Sequence, residues 1–314
     1  MSVPTRSRSR GGGGDEPAAG RRRLDLPVGL LREARPKQWV KNVLLLAAPG
    51  AAGVLTQGDV LGPVLLAILS FCLTASGVYY LNDLVDVEAD RAHPVKRGRP
   101  IAAGIVPMPL ARVVGALLFL TGIGVAALVS VQLLVVLLVY VAVTTSYSFR
   151  FKHVPVVDLV MVSAGFLLRA IAGGVAADVP LSPLFLLVAA FGSLFMVAGK
   201  RHGEFMEMGQ DRAATRPSLS EYSDAYLRYV WSIASAVTMV GYSLWAFQLS
   251  QGRPSPIWYE LSVAPFVVAL LRYAYLVEGG RGGAPEELVL SDRQLQLFGL
   301  AWAVLFAAGI YLSD

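Results

Sequence analysis

Asn82, Asp83, Asp86 and Asp90 form an N-D-x-x-D-x-x-x-D run at the inner end of a long apolar segment. Carboxylates beside hydrocarbon are costly unless they are paired, hydrated or bound to metal, so intramembrane acids are candidates for function. If the helix continues to Asp90, a rotation of about 100° per residue places Tyr79, Asp83, Asp86 and Asp90 within a sector of roughly 60°, with Asn82 beside them. Like charges so placed repel unless a cation bridges them. Carboxylate and amide oxygens suit Mg²⁺, a hard ion that keeps waters and draws its remaining ligands from substrate phosphates. Arg91, Lys96, Arg97 and Arg99 follow directly and offer phosphate partners beyond the metal. The simpler alternative is a charged helix end in water whose acids pair with those basic residues, an arrangement that contributes little.

Four other stretches carry cations. Arg150 and Lys152 lie in a loop, where they also serve as ordinary topology determinants. Arg169 falls about 14 residues into the next apolar segment, some ~20 Å deep at ~1.5 Å per residue, where a guanidinium must find an anion or water. Its planar fork suits a bidentate phosphate contact; a structural pairing with a buried acid is the alternative. The third stretch, Lys200 to Glu207 and on through Asp211, Arg212 and Arg216, contains Glu204, which either completes a metal site or pairs with Lys200 one turn away. Upstream, Arg35, Lys37 and Lys41 surround Trp39, a membrane-interface residue, and Lys41 is close enough to the first span to face a central site.

The elements that must position these residues are membrane helices. The chain is 55% hydrophobic and 16% charged, with mean hydropathy +0.58, and its apolar stretches approach the ~20 residues that cross a bilayer. Spans are expected at 39–55, 61–81, 110–130, 132–147, 156–175, 182–198, 229–249, 256–275 and 295–312. With the N-terminus inside, 25 of the 27 Lys and Arg residues fall on the inner side. Positive residues in short loops resist translocation, so the reading is N-terminus in and C-terminus out of a multi-pass inner (plasma) membrane protein, with every polar loop just described cytoplasmic.

Residues 1–28 read as a disordered basic tail, which has no apolar core of a signal peptide, and 29–314 as one nine-helix transmembrane catalytic domain. The tail serves topology, with anionic headgroups as a further contact, and nucleic acid is not an expected partner. Cys72 is the single cysteine, which excludes an intrachain disulfide. His93, His153 and His202 fall one per loop, without zinc-ligand spacing.

These motifs resemble the UbiA superfamily of intramembrane prenyltransferases, which share a nine-helix fold around a cytoplasm-facing cavity and an N-D-x-x-D-x-x-x-D metal motif. The stretches 35–42, 82–100, 165–174 and 199–201 are most similar to its phosphoribosyl-transferring subgroup, and the likeness covers roughly residues 30 to 314. The usual second D-x-x-x-D motif is replaced by Glu204, Glu207 and Asp211, which makes a prenyl diphosphate donor less secure than another phosphorylated donor.

The resemblance implies transfer of 5-phosphoribosyl from phosphoribosyl pyrophosphate to decaprenyl (polyprenyl) phosphate, giving a membrane-held precursor of lipid-linked arabinose for cell-wall polysaccharide. It further implies Mg²⁺ on Asn82 and Asp86, with Asp83 close by and Glu204 as a further ligand, and Asp83, Asp86 and Asp90 as the catalytic acids. Lys41, Tyr79, Lys96, Lys152 and Arg169 are the expected contacts to donor and lipid phosphates, with Arg91, Arg97, Lys200 and Arg201 as outer cations. Small residues at 165, 170 and 172–174 would admit the lipid tail or serve helix packing. Two rivals stand: a prenyltransferase acting on an aromatic acceptor, and a polyprenyl-phosphate carrier, which has little need of a clustered Mg²⁺ site. A homo-oligomer is compatible with the sequence, which does not set its order.

Overall fold

The computed structural model describes residues 18–207, 217–251, 255, 257–281 and 285–312. Most of the basic tail, together with Asp211, Arg212, Arg216 and Arg253, lies outside the described residues, as does the side chain of Glu207. All the regular elements among the described residues are helical. Eight are long and apolar enough to cross a membrane: α3 (Gly58–Val85), α5 (Met108–Val129), α6 (Val131–Phe149), α7 (Val157–Ala176), α8 (Pro183–Glu207), α9 (Asp224–Ser250), α10 (Ile257–Leu276) and α12 (Arg293–Tyr311). Shorter helices are α1 (Ala18–Glu33), α2 (Ala47–Ala51), α4 (Val87–Ala92) and α11 (Pro285–Ser291).

The first expected span, 39–55, is a helical rod of another kind: Pro36–Leu46 winds as 3₁₀ turns and continues into α2. It lies close against α7. A Cβ on Gly173 would stand 1.8 Å from the Leu45 carbonyl oxygen, so only glycine admits the backbone there. Gly174 is similarly filled, by Leu181. The small residues of α7 therefore receive protein backbone and side chains at these two positions, and not a lipid tail.

Helix α1 runs through residue 28, where the tail was expected to end. Leu26 and Leu30 pack against the cluster of Tyr80, Val87, Ile101 and Val106, and Tyr80 Oη donates to the Leu30 carbonyl at 2.7 Å. This apolar anchorage is what orders the segment.

Capping places several starts: Ser130, Ser223 and Asp292 accept from the backbone N–H three residues on and open α6, α9 and α12. Burial then ranks the spans. The apolar windows of α3 and α7 are 56% and 50% buried, against 17% for α5, α6 and α12, so α3 and α7 form the centre and carry whatever the bundle encloses. Phe71, Leu133, Leu137, Tyr140 and Ala172 join α3, α6 and α7 in one core, while Tyr242, Trp245, Tyr259 and Phe306 join α9, α10 and α12 in another.

Candidate active site

The acidic run straddles a kink. Helix α3 ends at Val85, Asp86 adopts φ −87° and ψ 6°, and α4 begins at Val87, so the uninterrupted helix expected through Asp90 is not formed. Helical hydrogen bonds nevertheless bridge the kink, from Asp86 N to Asn82 O at 2.9 Å and from Asp90 N to Asp86 O at 2.8 Å. Asp83 and Asp90 therefore still face one group, the Arg99 guanidinium, whose Nη1 donates to them at 3.0 and 2.7 Å. Arg35 Nη2 donates to both Asp83 oxygens, at 2.7 and 2.6 Å. Both acids are buried. The like charges are thus compensated by two arginines, one of them upstream of the motif and 48 residues from Asp83. Among the described residues no three acidic, histidine or cysteine side chains converge as a metal site.

Asp86 differs. It is half-buried, and its carboxylate makes no hydrogen bond or ion pair among the described residues. Asn82, one turn earlier, gives its amide Nδ2 to Ser148 Oγ at 3.3 Å, which leaves Oδ1 disengaged. One carboxylate and one amide oxygen one turn apart suit Mg²⁺, which takes few protein ligands and completes its octahedron with water and phosphate. Asp83 and Asp90 would first have to leave their arginines.

Two cavities flank α3. A loop-side cavity of about 420 Å³ is bounded by Arg32, Glu33, Arg35, Asp83, Lys96 and Arg99. An interhelical cavity of about 220 Å³ lies between α3, α6 and α7, lined by Lys41, Tyr79, Asn82, Tyr140, Tyr147, Phe166 and Arg169 among others. The structure therefore brings together Lys41, Tyr79, Asn82 and Arg169 from the expected set, and places Lys96 and Asp83 in the neighbouring space. Arg169 is 7% exposed. Its Nε donates to Asn42 Oδ1 at 2.9 Å, Nη1 to the Gly165 carbonyl at 2.7 Å and Nη2 to Tyr140 Oη at 2.8 Å, and the guanidinium lies 4.7 Å from the Tyr140 ring centroid. The alternative of a buried acid partner is not realised, since every hydrogen bond of Arg169 among the described residues ends on a neutral oxygen.

Arg201 and Glu204 lie elsewhere than expected. Arg201, 2% exposed, donates through Nε to Asp158 at 3.2 Å and through Nη1 to Glu204 at 3.0 Å. Tyr222 and Ser218 also donate to Asp158. Burial, with the Asp158 carboxylate beside it, pushes the Tyr222 phenol above its ordinary range. Arg201 is thus held between two acids, and Glu204 is one of them. His202 is fully buried within α8, bonded to Asp224 at 2.9 Å, and is not a loop residue. Arg91 is tied at the surface to Glu88, Arg97 is exposed, and Lys152 and Lys200 are half-buried; none of these four lines either cavity.

Glu33, Arg35 as the partner of Asp83, Asn42 and Tyr140 were not singled out by sequence reasoning. Their signal was weak: Asn42 and Tyr140 sit in apolar surroundings, and each acts on a residue far away in the chain. Glu33 is 1% exposed, with its carboxyl beside that of Asp83. Burial, reinforced by Asp83, raises its carboxyl to about 8.

Comparison with known proteins bears on the family and the fold. A decaprenyl-phosphate phosphoribosyltransferase of Corynebacterium glutamicum is 47% identical over 294 residues, 92% of this chain and 88% of that protein. A protein of the same name from Mycolicibacterium smegmatis is 47% identical over 302 residues, covering 92% and 94%. In fold, a UbiA homologue from Archaeoglobus fulgidus, solved bound to GPP and Mg²⁺, superposes with a TM-score of 0.66 at 19% identity, over 90% of this chain and 98% of that one. Residues 43–298, which hold both central helices and the acidic run, match the family model itself, and this multi-pass membrane protein belongs to the UbiA prenyltransferase family.

Proposed function

We propose that this chain transfers the 5-phosphoribosyl group of phosphoribosyl pyrophosphate to decaprenyl or a related polyprenyl phosphate, releasing pyrophosphate. The observation that carries the reading is Arg169, a buried guanidinium satisfied only by neutral oxygens beside a cavity between membrane helices. A permanent cation there favours an anion, and a lipid phosphate supplies one together with an apolar tail. The names of the relatives supply the sugar donor. The Asn82–Asp86 oxygen pair would hold Mg²⁺, which when bound offsets charge developing on the departing pyrophosphate.

A lipid phosphate oxygen attacks the anomeric carbon, and the bond from that carbon to the pyrophosphate oxygen breaks with its electron pair. The nucleophile is already anionic, so the protein needs to position it and not to remove a proton. Asn42, Tyr140 and the Gly165 carbonyl hold Arg169 in one orientation, which fixes where a phosphate can sit. Asp83 would offer negative charge to oxocarbenium character at the ribose only on leaving its two arginines. Inversion at the anomeric carbon is the expected stereochemistry. The pairing of Glu204 with Arg201 weighs against a second acidic cluster holding a prenyl diphosphate.

The reading includes a plasma-membrane protein with the N-terminus and both cavities on the cytoplasmic side, consistent with the positive residues of the polar loops. The test is Mg²⁺-dependent incorporation of labelled phosphoribosyl pyrophosphate into polyprenyl phosphate by purified protein, with Asp86→Ala alongside. Lipid-soluble label lost in the variant supports the assignment. Folded protein that gives no label with this donor, and instead consumes a prenyl diphosphate, refutes it.

A further inference from the structure

Val156, the residue before α7, has φ 66° and ψ −49°. Its neighbours close a three-residue turn around it, in which the Val157 N–H donates to the Pro155 carbonyl at 2.7 Å. This is the γ-turn of the rare, strained hand. Among the described residues, the non-glycine residues with positive φ are Arg35, Val156 and Asp178. Val156 alone of these is β-branched, and such side chains tolerate that backbone least. A residue held in so sparsely populated a conformation persists only where its surroundings enforce it, and strain of this kind gathers at functional sites.

The enforcing group comes from another loop. Tyr222, just before α9, is buried, and its hydroxyl accepts from the Val156 N–H while donating to the Asp158 carboxylate. One hydroxyl therefore ties the strained residue to the first turn of α7. Asp158 is held in turn by Arg201 Nε at 3.2 Å and Ser218 Oγ at 3.4 Å, and Leu219 is buried in one cluster with Leu159, Val197 and Phe205. Apolar packing and a charged node together dock the segment before α9 on the entrance of α7, and that docking offsets the strain at Val156.

What the turn governs follows from its place. Residues 150–156 connect α6 to α7, two of the helices that wall the interhelical cavity; Tyr147 and Ser148 line it before the connection, Met161 and Val162 after it. The Asp158 node also reaches the wall itself, since Arg201 Nη2 donates to Tyr147 Oη at 3.3 Å.

We infer that Tyr222 is a positioning residue: by holding Val156 in its strained turn it fixes the connection 150–155 at the end of the interhelical cavity, so that this connection and the segment before α9 move as one unit. Without the Tyr222 hydroxyl, Val156 relaxes to an ordinary backbone and turns Arg150 and Lys152 out of their places. The consequence for turnover rests on the phosphoribosyl-transfer reading; the conformational statement does not.

The experiment compares full-length wild type, Tyr222→Phe, Val156→Gly and the double variant in detergent. Phenylalanine keeps the ring in its cluster with Leu159 and Leu219. Val156 is 47% exposed, so glycine there removes no buried packing and accepts positive φ without strain. The first readout is limited trypsin digestion, in which cleavage after Arg150 and Lys152 is followed by mass spectrometry and cleavage after the exposed Arg91 and Arg97 is the internal reference. Tyr222→Phe should be cut after Arg150 and Lys152 about fivefold faster than wild type or more, with the reference sites unchanged. Val156→Gly and the double variant should both stay within about twofold of wild type, because no strain remains to be released. A merely structural role for Tyr222 predicts the same acceleration in the double variant as in Tyr222→Phe; that outcome, or no acceleration in Tyr222→Phe, overturns the inference. The second readout is phosphoribosyl transfer, whose kcat should fall about fivefold in Tyr222→Phe, with KM for both substrates within about twofold, and recover in the double variant. If the cleavage pattern appears and wild type transfers no phosphoribosyl group, the reaction assignment fails alone. If wild type transfers it and the cleavage pattern is absent, the positioning role of Tyr222 fails alone.

Discussion

Arg169 and Arg201 are both buried arginines on long apolar helices, and they are satisfied in opposite ways. Arg201 is enclosed by Asp158 and Glu204, so its charge is cancelled within the protein. Arg169 is held by an amide, a carbonyl and a phenol, so its geometry is fixed while its charge is left over. A compensated cation stabilises one packing arrangement; a preorganised, uncompensated one is prepared for an anion that arrives later. Glu33 adds a third case, a carboxyl buried beside the Asp83 carboxylate. A carboxyl can neutralise itself by keeping its proton, an option that a guanidinium does not have.

The largest expected effect comes from breaking the compensated site. Asp158→Asn leaves Arg201 with one acid in place of two and should destabilise the protein by about 3–5 kcal/mol, seen as a large fall in the thermal midpoint in detergent. Arg169→Gln tests the other half: transfer activity should fall by about 10²-fold, near 3 kcal/mol, with the thermal midpoint close to wild type. If Arg169→Gln unfolds the protein as Asp158→Asn does, the distinction between the two arginines collapses. Arg169→Lys should recover little, because an ammonium cannot reproduce the fork held by Asn42 and Tyr140.

Glu33 sharpens the comparison through pH. Its folded value of about 8 lies above the ordinary 4.5, so between those values the unfolded chain has released the proton that the folded chain keeps. Stability contributed by this group is therefore full below about 4.5 and declines as pH rises through the window, by at most ~1.4 kcal/mol per pH unit. Unfolding of Glu33→Gln, followed from pH 5 to 8, should show a flatter profile than wild type; an unchanged slope would mean that Glu33 is not held neutral. The smallest effect is expected for Tyr140→Phe, which removes one hydrogen bond from Arg169 at a cost near ~1 kcal/mol. Activity should drop roughly fivefold, with the cation–π contact to the ring retained.

Much of the fold was legible because a bilayer imposes one requirement on long apolar segments. Eight of the nine expected spans correspond to long apolar helices. The segment around Leu45 is helical but is not one of these eight, and its 3₁₀ turns accompany a close backbone approach to Gly173 that hydropathy does not encode. Of the residues lining the interhelical cavity, Asn82, Lys41, Tyr79 and Arg169 were singled out because polar side chains stand out against an apolar background. Glu204 and Arg201 stood out equally and were assigned outward roles, because nothing near them in sequence announces Asp158, 43 residues from Arg201.

The sequence by itself determined that this is a helical membrane protein with an acidic run at the end of one span and a lone arginine inside another, since hydropathy and helical period are local properties. Only the tertiary structure decided which charges cancel. Arg35 meets Asp83 across 48 residues and Arg169 meets Asn42 across 127, so whether a buried charge is spent on the fold or kept for a ligand depends on neighbours supplied by other helices.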